Sequence, residues 1–500
     1  MEVLLTFDVG TTSMKCCAFD ASFNILAKTA VEYQLETKGE HVIEADPEIY
    51  FSGFVKSVGL IKEKGIDLSK VVSLGFTTQG ETLTLVDGKG EPVAKSVVWL
   101  DDRAFEEAEE LKKSISATDF SKKTGQPEIG GATPLAKLKN LLKNDYIGDH
   151  AYKALLLEDY LVFRLTGEYK TEHSLICSTG YYDIREHRIE NGYLSLAGAE
   201  NSLIPEVCKC GEIAGKVTRE AAELCGLREG IPVVLTAMDQ TCSAIGAGNV
   251  EKGIVSETTG TCLTALTTVE RPFDDPGALQ FYTHFDDGYL ALAYNPTAAM
   301  IIKWLKDEFI KDTDGCRNSE FNAYDYMSCL AEKVPAGCDG MLVLPHFAGK
   351  LIPYISPDMR GCFYGVSVNS TKGHFIRGVM EGVAFMLKED LDYFAKNGIV
   401  SDEIRSLGGG SRDSLWMKIK ASVTGKNIYT LENEESTSLG AAILSAKGIG
   451  LISDVKAASR KAAKIRETFL PDENEREVYE KAYARYKKLD EAIRSFVGNG

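Results

Sequence analysis

The chain has 500 residues, 44% of them hydrophobic and 26% charged, which is the composition of globular material with length for more than one core. Its 56 basic and 73 acidic side chains leave a net charge of −17. That balance argues against nucleic acid or an anionic membrane as a partner of the general surface, because both need a positive field.

In chain order, apolar and alternating runs predict strands over Val3–Val9, Lys15–Phe19, Ile25–Val31, Val71–Thr77, Leu83–Val86 and Ser96–Trp99. A helix interrupts them at Pro47–Lys64, capped by Asp46 with Pro47 in the first helical position. Residues 103–164 read as helical, with Leu135, Leu138, Leu141 and Leu142 at helical spacing. A buried strand follows at Ile231–Thr236, and strands recur at Gly253–Thr258, Cys262–Thr267, Tyr289–Ala293 and Gly340–Leu344. Long helices then run over Lys372–Asn397, Asp413–Thr424 and Ser436–Gly448, and a charged amphipathic helix closes the chain from Asp472 to Phe496.

The longest apolar runs, such as 71–76 and 340–345, fall far short of the roughly 20 residues a membrane helix needs. The start, Met1-Glu2-Val3-Leu4-Leu5-Thr6-Phe7, has neither the basic residues nor the long apolar stretch of a signal peptide. The 12 cysteines and 7 histidines lie scattered, without C-x-x-C or H-x-x-x-H spacing. Buried reduced thiols are therefore expected in place of a metal or disulfide framework, in a cytoplasmic protein.

A long-range echo organises the chain. Phe7-Asp8-Val9-Gly10-Thr11-Thr12-Ser13 and Glu257-Thr258-Thr259-Gly260-Thr261-Cys262 are both Gly/Thr hairpins between two strands, about half a chain apart. They predict two related α/β domains with mixed sheets, 1–248 and 249–500, facing each other. Gly10 allows a tight turn whose backbone N–H groups, with the hydroxyls of Thr11, Thr12 and Ser13, suit a phosphate. Asp8, at the strand end, suits Mg²⁺. Alone, such a motif is also an ordinary polar turn; the second hairpin at Thr259, Gly260 and Thr261 favours a clamp on a polyphosphate.

Other clusters carry similar pairs of readings. Gly408-Gly409-Gly410-Ser411 lets a nucleobase or ribose approach the backbone, or forms a plain strand-to-helix turn. Asp239, just past the strand 231–236, suits a general base toward a hydroxyl or a helix N-cap. Gln79, Glu81 and Thr82 with Trp99, Asp101 and Arg103 suit a sugar site, the indole as platform and the carboxylates as acceptors. Arg103 could equally pair with Asp101 or Asp102.

Taken together, Asp8-x-Gly10-Thr11-Thr12-Ser13, Gln79-x-Glu81-Thr82, Trp99-x-Asp101-x-Arg103, Asp239-Gln240, Thr259-Gly260-Thr261 and Gly408-Gly409-Gly410 stand in the order and spacing of the FGGY carbohydrate kinases. Gly361-x-Phe363-x-Gly365-Val366 with His374-Phe375 and Met380-Glu381 resembles that family's C-terminal signature, and Asp159-Tyr160-Leu161 with Arg164-Leu165-Thr166-Gly167 resembles its central helix. The resemblance spans about residues 1–455. It implies the actin/hexokinase-type fold, two ribonuclease-H-like domains around a central cleft, and ATP-dependent phosphorylation of a sugar or polyol with Mg²⁺ as cofactor. It further implies Asp239 as the base and a metal-site residue beside Asp8. Gln79, Glu81, Thr82, Trp99, Asp101, Arg103, Asp239 and Gln240 would hold the sugar. Gly10, Thr11, Thr12, Ser13, Thr259, Gly260, Thr261, Gly408, Gly409, Gly410 and Ser411 would hold ATP. Homodimers are compatible with the resemblance.

The chain also departs from the pattern. Glycerol kinases carry Gln-Arg-Glu-Thr and xylulokinases Gln-Met-His-Gly where this chain has Gln79-Gly80-Glu81-Thr82. Gly80 is expected to leave room beside Glu81, which favours a ketopentose such as xylulose over glycerol or another polyol. A non-catalytic nucleotide switch of the same fold is the alternative from another class. A nicotinamide enzyme is disfavoured, since no G-x-G-x-x-G opens a helix after the first strand.

Overall fold

The computed structural model describes residues 2–273, 277–310 and 322–498. Two mixed sheets organise it, one in each half. In the first, β1 (Val3–Val9) lies between antiparallel β2 (Ser13–Phe19) and parallel β4 (Val71–Thr78). Strand β3 (Ile25–Glu32) extends one edge; β6 (Pro232–Leu235) and then antiparallel β5 (Ile213–Lys216) extend the other. In the second, β7 (Gly253–Thr259) lies between antiparallel β8 (Leu263–Val269) and parallel β11 (Ser401–Leu407). Beyond β8 come β10 (Tyr289–Asn295) and β9 (Gln280–Thr283); beyond β11 come β12 (Ile428–Leu431) and antiparallel β13 (Ile465–Phe469). Apart from the added edge strand β9, the two sheets repeat each other in neighbours and direction. The echo between the hairpins is thus the echo of two whole sheets.

Burial explains the sequence patterns. Strand β1 is buried along almost its whole length, as a central strand covered on both faces must be, so it reads as an apolar run and not as an alternation. The exposed residues of edge strand β3 include Lys28 and Glu32, which suit a strand with one unpaired side. Helix α1 (Glu48–Glu63) starts one residue later than expected: Pro47, already at a helical φ of −53°, holds the cap position without a side-chain cap, and Asp46 accepts the Glu48 N–H at 3.0 Å.

The helices α3 (Asp239–Gly246) and α6 (Ser436–Gly448) join the halves, whereas α4 (Lys372–Lys396) and α5 (Ser414–Thr424) pack on each other in the second half. Helix α6 follows a strand of the second sheet yet packs on β1 and β4 of the first. Nearly all its residues are buried, which fits a helix covered from every side. The approach is close enough to demand glycine. A Cβ at Gly440 would sit 1.9 Å from the Cys242 carbonyl oxygen, and one at Gly246 would sit 1.8 Å from that of Ser436.

The span 103–164 is less continuous than its pattern predicts. It breaks into five helices, among them α2 (Pro134–Leu142), and contains the strand Lys153–Leu156. That strand completes a five-stranded sheet with 36–38, 42–45, 83–86 and 96–97, an insertion that carries Glu81 and Trp99 to the side of the main sheet. The expected strand at Ser96–Trp99 keeps only Ser96–Val97, and that at Gly340–Leu344 only Leu342–Leu344. All eleven described cysteines are free and seven are buried, whereas Cys329 is exposed and Cys208, Cys262 and Cys362 are half-buried. Cys316 lies outside the described residues.

Candidate active site

Strand β1 ends in Asp8-Val9 and turns back through Gly10–Ser13, closed by the Gly10 N–H donating to the Ser13 carbonyl at 3.0 Å. Two aromatic residues hold this turn from outside. The Trp99 indole N–H donates to Thr11 Oγ1 at 3.0 Å, and the Tyr33 hydroxyl donates to the Gly10 carbonyl. Asp8 faces Lys15 across the ladder. Burial pushes its carboxyl up to about 6, against the pull of Lys15.

The end of β4 presents Gln79, Gly80 and Glu81. Gln79 is 5% exposed, and its Nε2 donates to Thr82 Oγ1 at 3.1 Å while its Oε1 has no partner. Glu81 sits at φ 58°, a left-handed conformation unusual outside glycine. Burial raises its carboxyl above the ordinary range, against Ser178 and Lys137. The buried ammonium of Lys137, on α2, donates to the carbonyls of Val98 at 2.8 Å, Trp99 at 3.2 Å and Glu81 at 3.4 Å. It therefore ties both sugar-motif segments together from behind.

Asp239 is the first residue of α3 and not its cap; Met238 holds that position. Its Oδ1 accepts the Gln240 N–H at 2.6 Å. Burial, reinforced by the charges of Asp8 and Glu81, pushes its carboxyl up to about 8. Three acids thus share one low-dielectric neighbourhood.

The second hairpin is built differently. The Thr259 hydroxyl is buried, donating to Glu257 Oε2 at 2.8 Å and accepting from Lys420 Nζ at 2.6 Å, while Lys420 pairs with Glu257 Oε1 at 2.7 Å. Gly260 and Thr261 stay accessible, their carbonyls accepting the Ala299 and Ala298 N–H groups at 2.8 Å. The Gly408–Ser411 turn packs on this hairpin. A Cβ at Gly410 would lie 2.9 Å from Thr259 O, whereas one at Gly409 would meet nothing within 4 Å. Ser411 Oγ donates back to the Gly408 carbonyl at 2.8 Å.

A cavity of about 470 Å³ opens between the halves. Its first-half wall includes Gly10, Thr11, Gln79, Glu81, Trp99 and Asp239, together with Gln240; its second-half wall includes Cys262, Thr264, Tyr282 and Tyr294. Family models for the FGGY family of carbohydrate kinases match both halves, the N-terminal domain over residues 3–246 and the C-terminal domain over 255–449. The chain belongs to the FGGY family of carbohydrate kinases.

Relatives of this FGGY chain carry several activities. It is 26% identical over 461 residues to a gluconokinase of Bacillus subtilis, covering 91% of this chain and 89% of that one. It is 26% identical over 491 residues to a xylulose kinase of Staphylococcus epidermidis, covering 98% and 96%. A glycerol kinase of Clostridium beijerinckii is 28% identical over 502 residues, covering 97% of each. Among solved structures, the ligand-bound xylulose kinase from Lactobacillus acidophilus superposes with a TM-score of 0.90 at 22% identity, covering 100% of both chains. The Plasmodium falciparum glycerol kinase with ADP gives 0.85 at 22% identity, covering 98% of each. These two similarities carry the fold, and the two-domain ATPase architecture is the one expected.

Several FGGY-motif residues lie away from the cavity wall. Thr82 is fully buried, and its Oγ1 accepts from Gln79 and from the Trp99 N–H at 3.1 Å each. Asp101 is also fully buried and accepts the Ile43 N–H at 2.6 Å and the Arg103 guanidinium at 2.6–3.0 Å. Arg103 bonds Glu44 as well, at 2.8 Å. These three hold the insertion together and lie off the wall of this cavity, where they were expected to face the sugar. The Thr259 hydroxyl is likewise taken, by Glu257 and Lys420. The room expected at Gly80 is partly filled: a Cβ there would meet Met238 Sδ at 3.0 Å and Ser178 Oγ at 3.2 Å. Thr12, Ser13, Gly260, Thr261 and Gly408–Ser411 do not line this cavity among the described residues.

Sequence reasoning missed Lys137, Ser178, Gln126, Glu128, Tyr282 and Tyr294. Lys137 was findable, because it shares the buried face of α2 with Pro134, Leu138 and Leu141. Gln126 and Glu128 follow a short helix in irregular chain and show no local pattern.

Proposed function

We propose that this kinase transfers the γ-phosphoryl group of ATP to a hydroxyl of a small sugar or polyol, preferring a ketopentose such as xylulose, with glycerol or another polyol as the alternative. One observation carries this reading. Asp239, a half-buried carboxyl that among the described residues accepts its neighbour's N–H, sits in a cavity shared by the phosphate hairpin, the amide-rich wall and the second domain. Residues 1–248 hold the sugar and 249–500 the nucleotide.

Phosphoryl transfer needs positioning and charge stabilisation more than covalent chemistry. Asp239 takes the proton of the attacking hydroxyl; its raised pKa makes it a stronger base once ionised. Gln79, Glu81 and Gln240 hold the other hydroxyls, and Trp99 both faces the carbon skeleton and steadies Thr11. The turn Gly10–Ser13 holds phosphate oxygens through backbone N–H groups and hydroxyls, opposite Gly260 and Thr261. The open face of Gly409 accepts the nucleoside.

The donor set fits Mg²⁺. Asp8 and Asp239 are half-buried oxygen ligands whose carboxyls are both raised by desolvation, that of Asp239 further by the charges of Asp8 and Glu81. Bound there, the ion would neutralise charge on the phosphates. Eleven free thiols suit a reducing cytoplasm, and among the described residues no helix is long and apolar enough to cross a membrane.

An ADP-release assay across ketopentoses, aldoses, polyols and glycerol tests the reading. The highest kcat/KM is expected for a ketopentose. If no sugar or polyol accelerates ADP release, the reading fails.

A further inference from the structure

Building on the kinase reading above, we propose that the cavity admits uncharged polyhydroxy substrates and rejects sugar acids, with Glu128 enforcing the choice at the first-domain rim. The charged side chains on the described cavity wall are Glu81, Glu128 and Asp239, and no Lys, Arg or His joins them. The remaining polar wall is dominated by neutral amides and hydroxyls, Gln126 and Gln280 among them. Lys137 is nearby but does not line the cavity. It is 1% exposed, and its ammonium donates to three backbone carbonyls.

The hydrogen-bonding chemistry points the same way. Gln79 Oε1, an acceptor, and Gln126 Nε2, a donor, are buried without partners in residues of this wall. A hydroxyl both donates and accepts, so a polyol can serve either group and can also donate to the carboxylates. An ionised carboxylate only accepts. Placed here, it would meet three acidic side chains and no Lys, Arg or His among the described lining residues to pair with it. Glu81 and Asp239 belong to the proposed machinery, whereas Glu128 is exposed and stands at the edge of the cavity. Its charge can therefore be altered without removing either.

Matched pairs differing only in the terminal group test this directly: xylitol against xylonate, and sorbitol against gluconate. Each is measured as a substrate, or as a competitive inhibitor of the best neutral substrate, with wild type, Glu128→Gln and Glu128→Lys. Repulsion between like charges predicts a preference of about 100-fold for the neutral member in wild type. Glu128→Gln should narrow it about 3-fold and Glu128→Lys about 10-fold or more, through KM or the inhibition constant for the acid. Unchanged melting temperatures show that the variants fold. Equal handling of acid and neutral members by wild type overturns the proposal, as does a ratio unmoved by Glu128→Lys. If acids alone are phosphorylated, the kinase reading stands and this inference falls. If no sugar, polyol or acid accelerates ADP release, the kinase reading itself falls and takes this inference with it.

Discussion

The two halves share one strand plan, yet their hairpins treat buried charge in opposite ways. In the second half Glu257 is neutralised on the spot: Lys420, itself fully buried, pairs with it at 2.7 Å, and Thr259 and Ser406 donate hydroxyls. In the first half burial raises the proton affinity of Asp8, Glu81 and Asp239, and the charges of Asp8 and Glu81 add to the rise at Asp239. Their cationic neighbours are turned elsewhere. Lys15 reaches across to Glu435 of the second half at 3.2 Å, and Lys137 is held by carbonyls. A duplicated scaffold has thus given one hairpin an internal counter-ion and left the other with acids that Lys15 and Lys137 offset only in part. The first arrangement serves stability. The second serves a ligand that brings its own charge.

This contrast can be broken from either side. The largest expected effect is on turnover. Asp239→Asn should cost about 10²–10⁴-fold in ADP release, the usual worth of a positioned base, while ATP binding by calorimetry is retained. In the other half the effect should be on folding. Lys420→Met leaves Glu257 buried and unpaired, and should lower stability in urea titration by about 3–5 kcal/mol. Adding Glu257→Leu should recover most of that loss, because an apolar pair of similar volume has no charge to desolvate.

Smaller effects sharpen the link between the halves. Gly440→Ala drives a methyl group to 1.9 Å from the Cys242 carbonyl and should lower stability by about 1–3 kcal/mol through overpacking, read as a drop in melting temperature. Trp99→Phe removes the indole N–H from Thr11. A loss of about 0.5–1.5 kcal/mol is expected, with a modest rise in KM for ATP as the turn loosens. An unchanged KM would separate the tether from phosphate binding.

Most of the fold was legible because its central strands and helices carry strong local patterns. Helix α6 matches its expected bounds of 436–448, and β1 and β2 flank the Gly-Thr-Thr turn as read. The strand at Lys153–Leu156 was hidden: a lysine and three apolar residues between helical segments fit either period, and only pairing with 83–86 decides them. At the site, residue type and spacing picked out Gln79, Glu81, Trp99 and Asp239, which reach the cavity. The same reasoning could not tell them from Thr82, Asp101 and Thr259. Those side chains turn inward because backbone N–H groups, an arginine or a buried lysine need acceptors there, and such partners lie up to 161 residues away. Glu128 reaches the wall only through the loop after residue 124, which no periodicity describes.

The central claim is that the first-half acids are held at a cost to folding. In the native state Asp239 titrates at about 8 against an ordinary value of 3.8. The folded chain therefore keeps a proton that the unfolded chain releases, and this group's contribution to stability falls as pH rises from about 4 to about 8. Asn carries no such titration. The most direct measurement is the melting temperature of Asp239→Asn against wild type from pH 4 to pH 8, without nucleotide or metal. Near-equality is expected at pH 4, with an advantage for the variant that grows toward pH 8. A variant that melts below wild type, and further below it at pH 8, would contradict it.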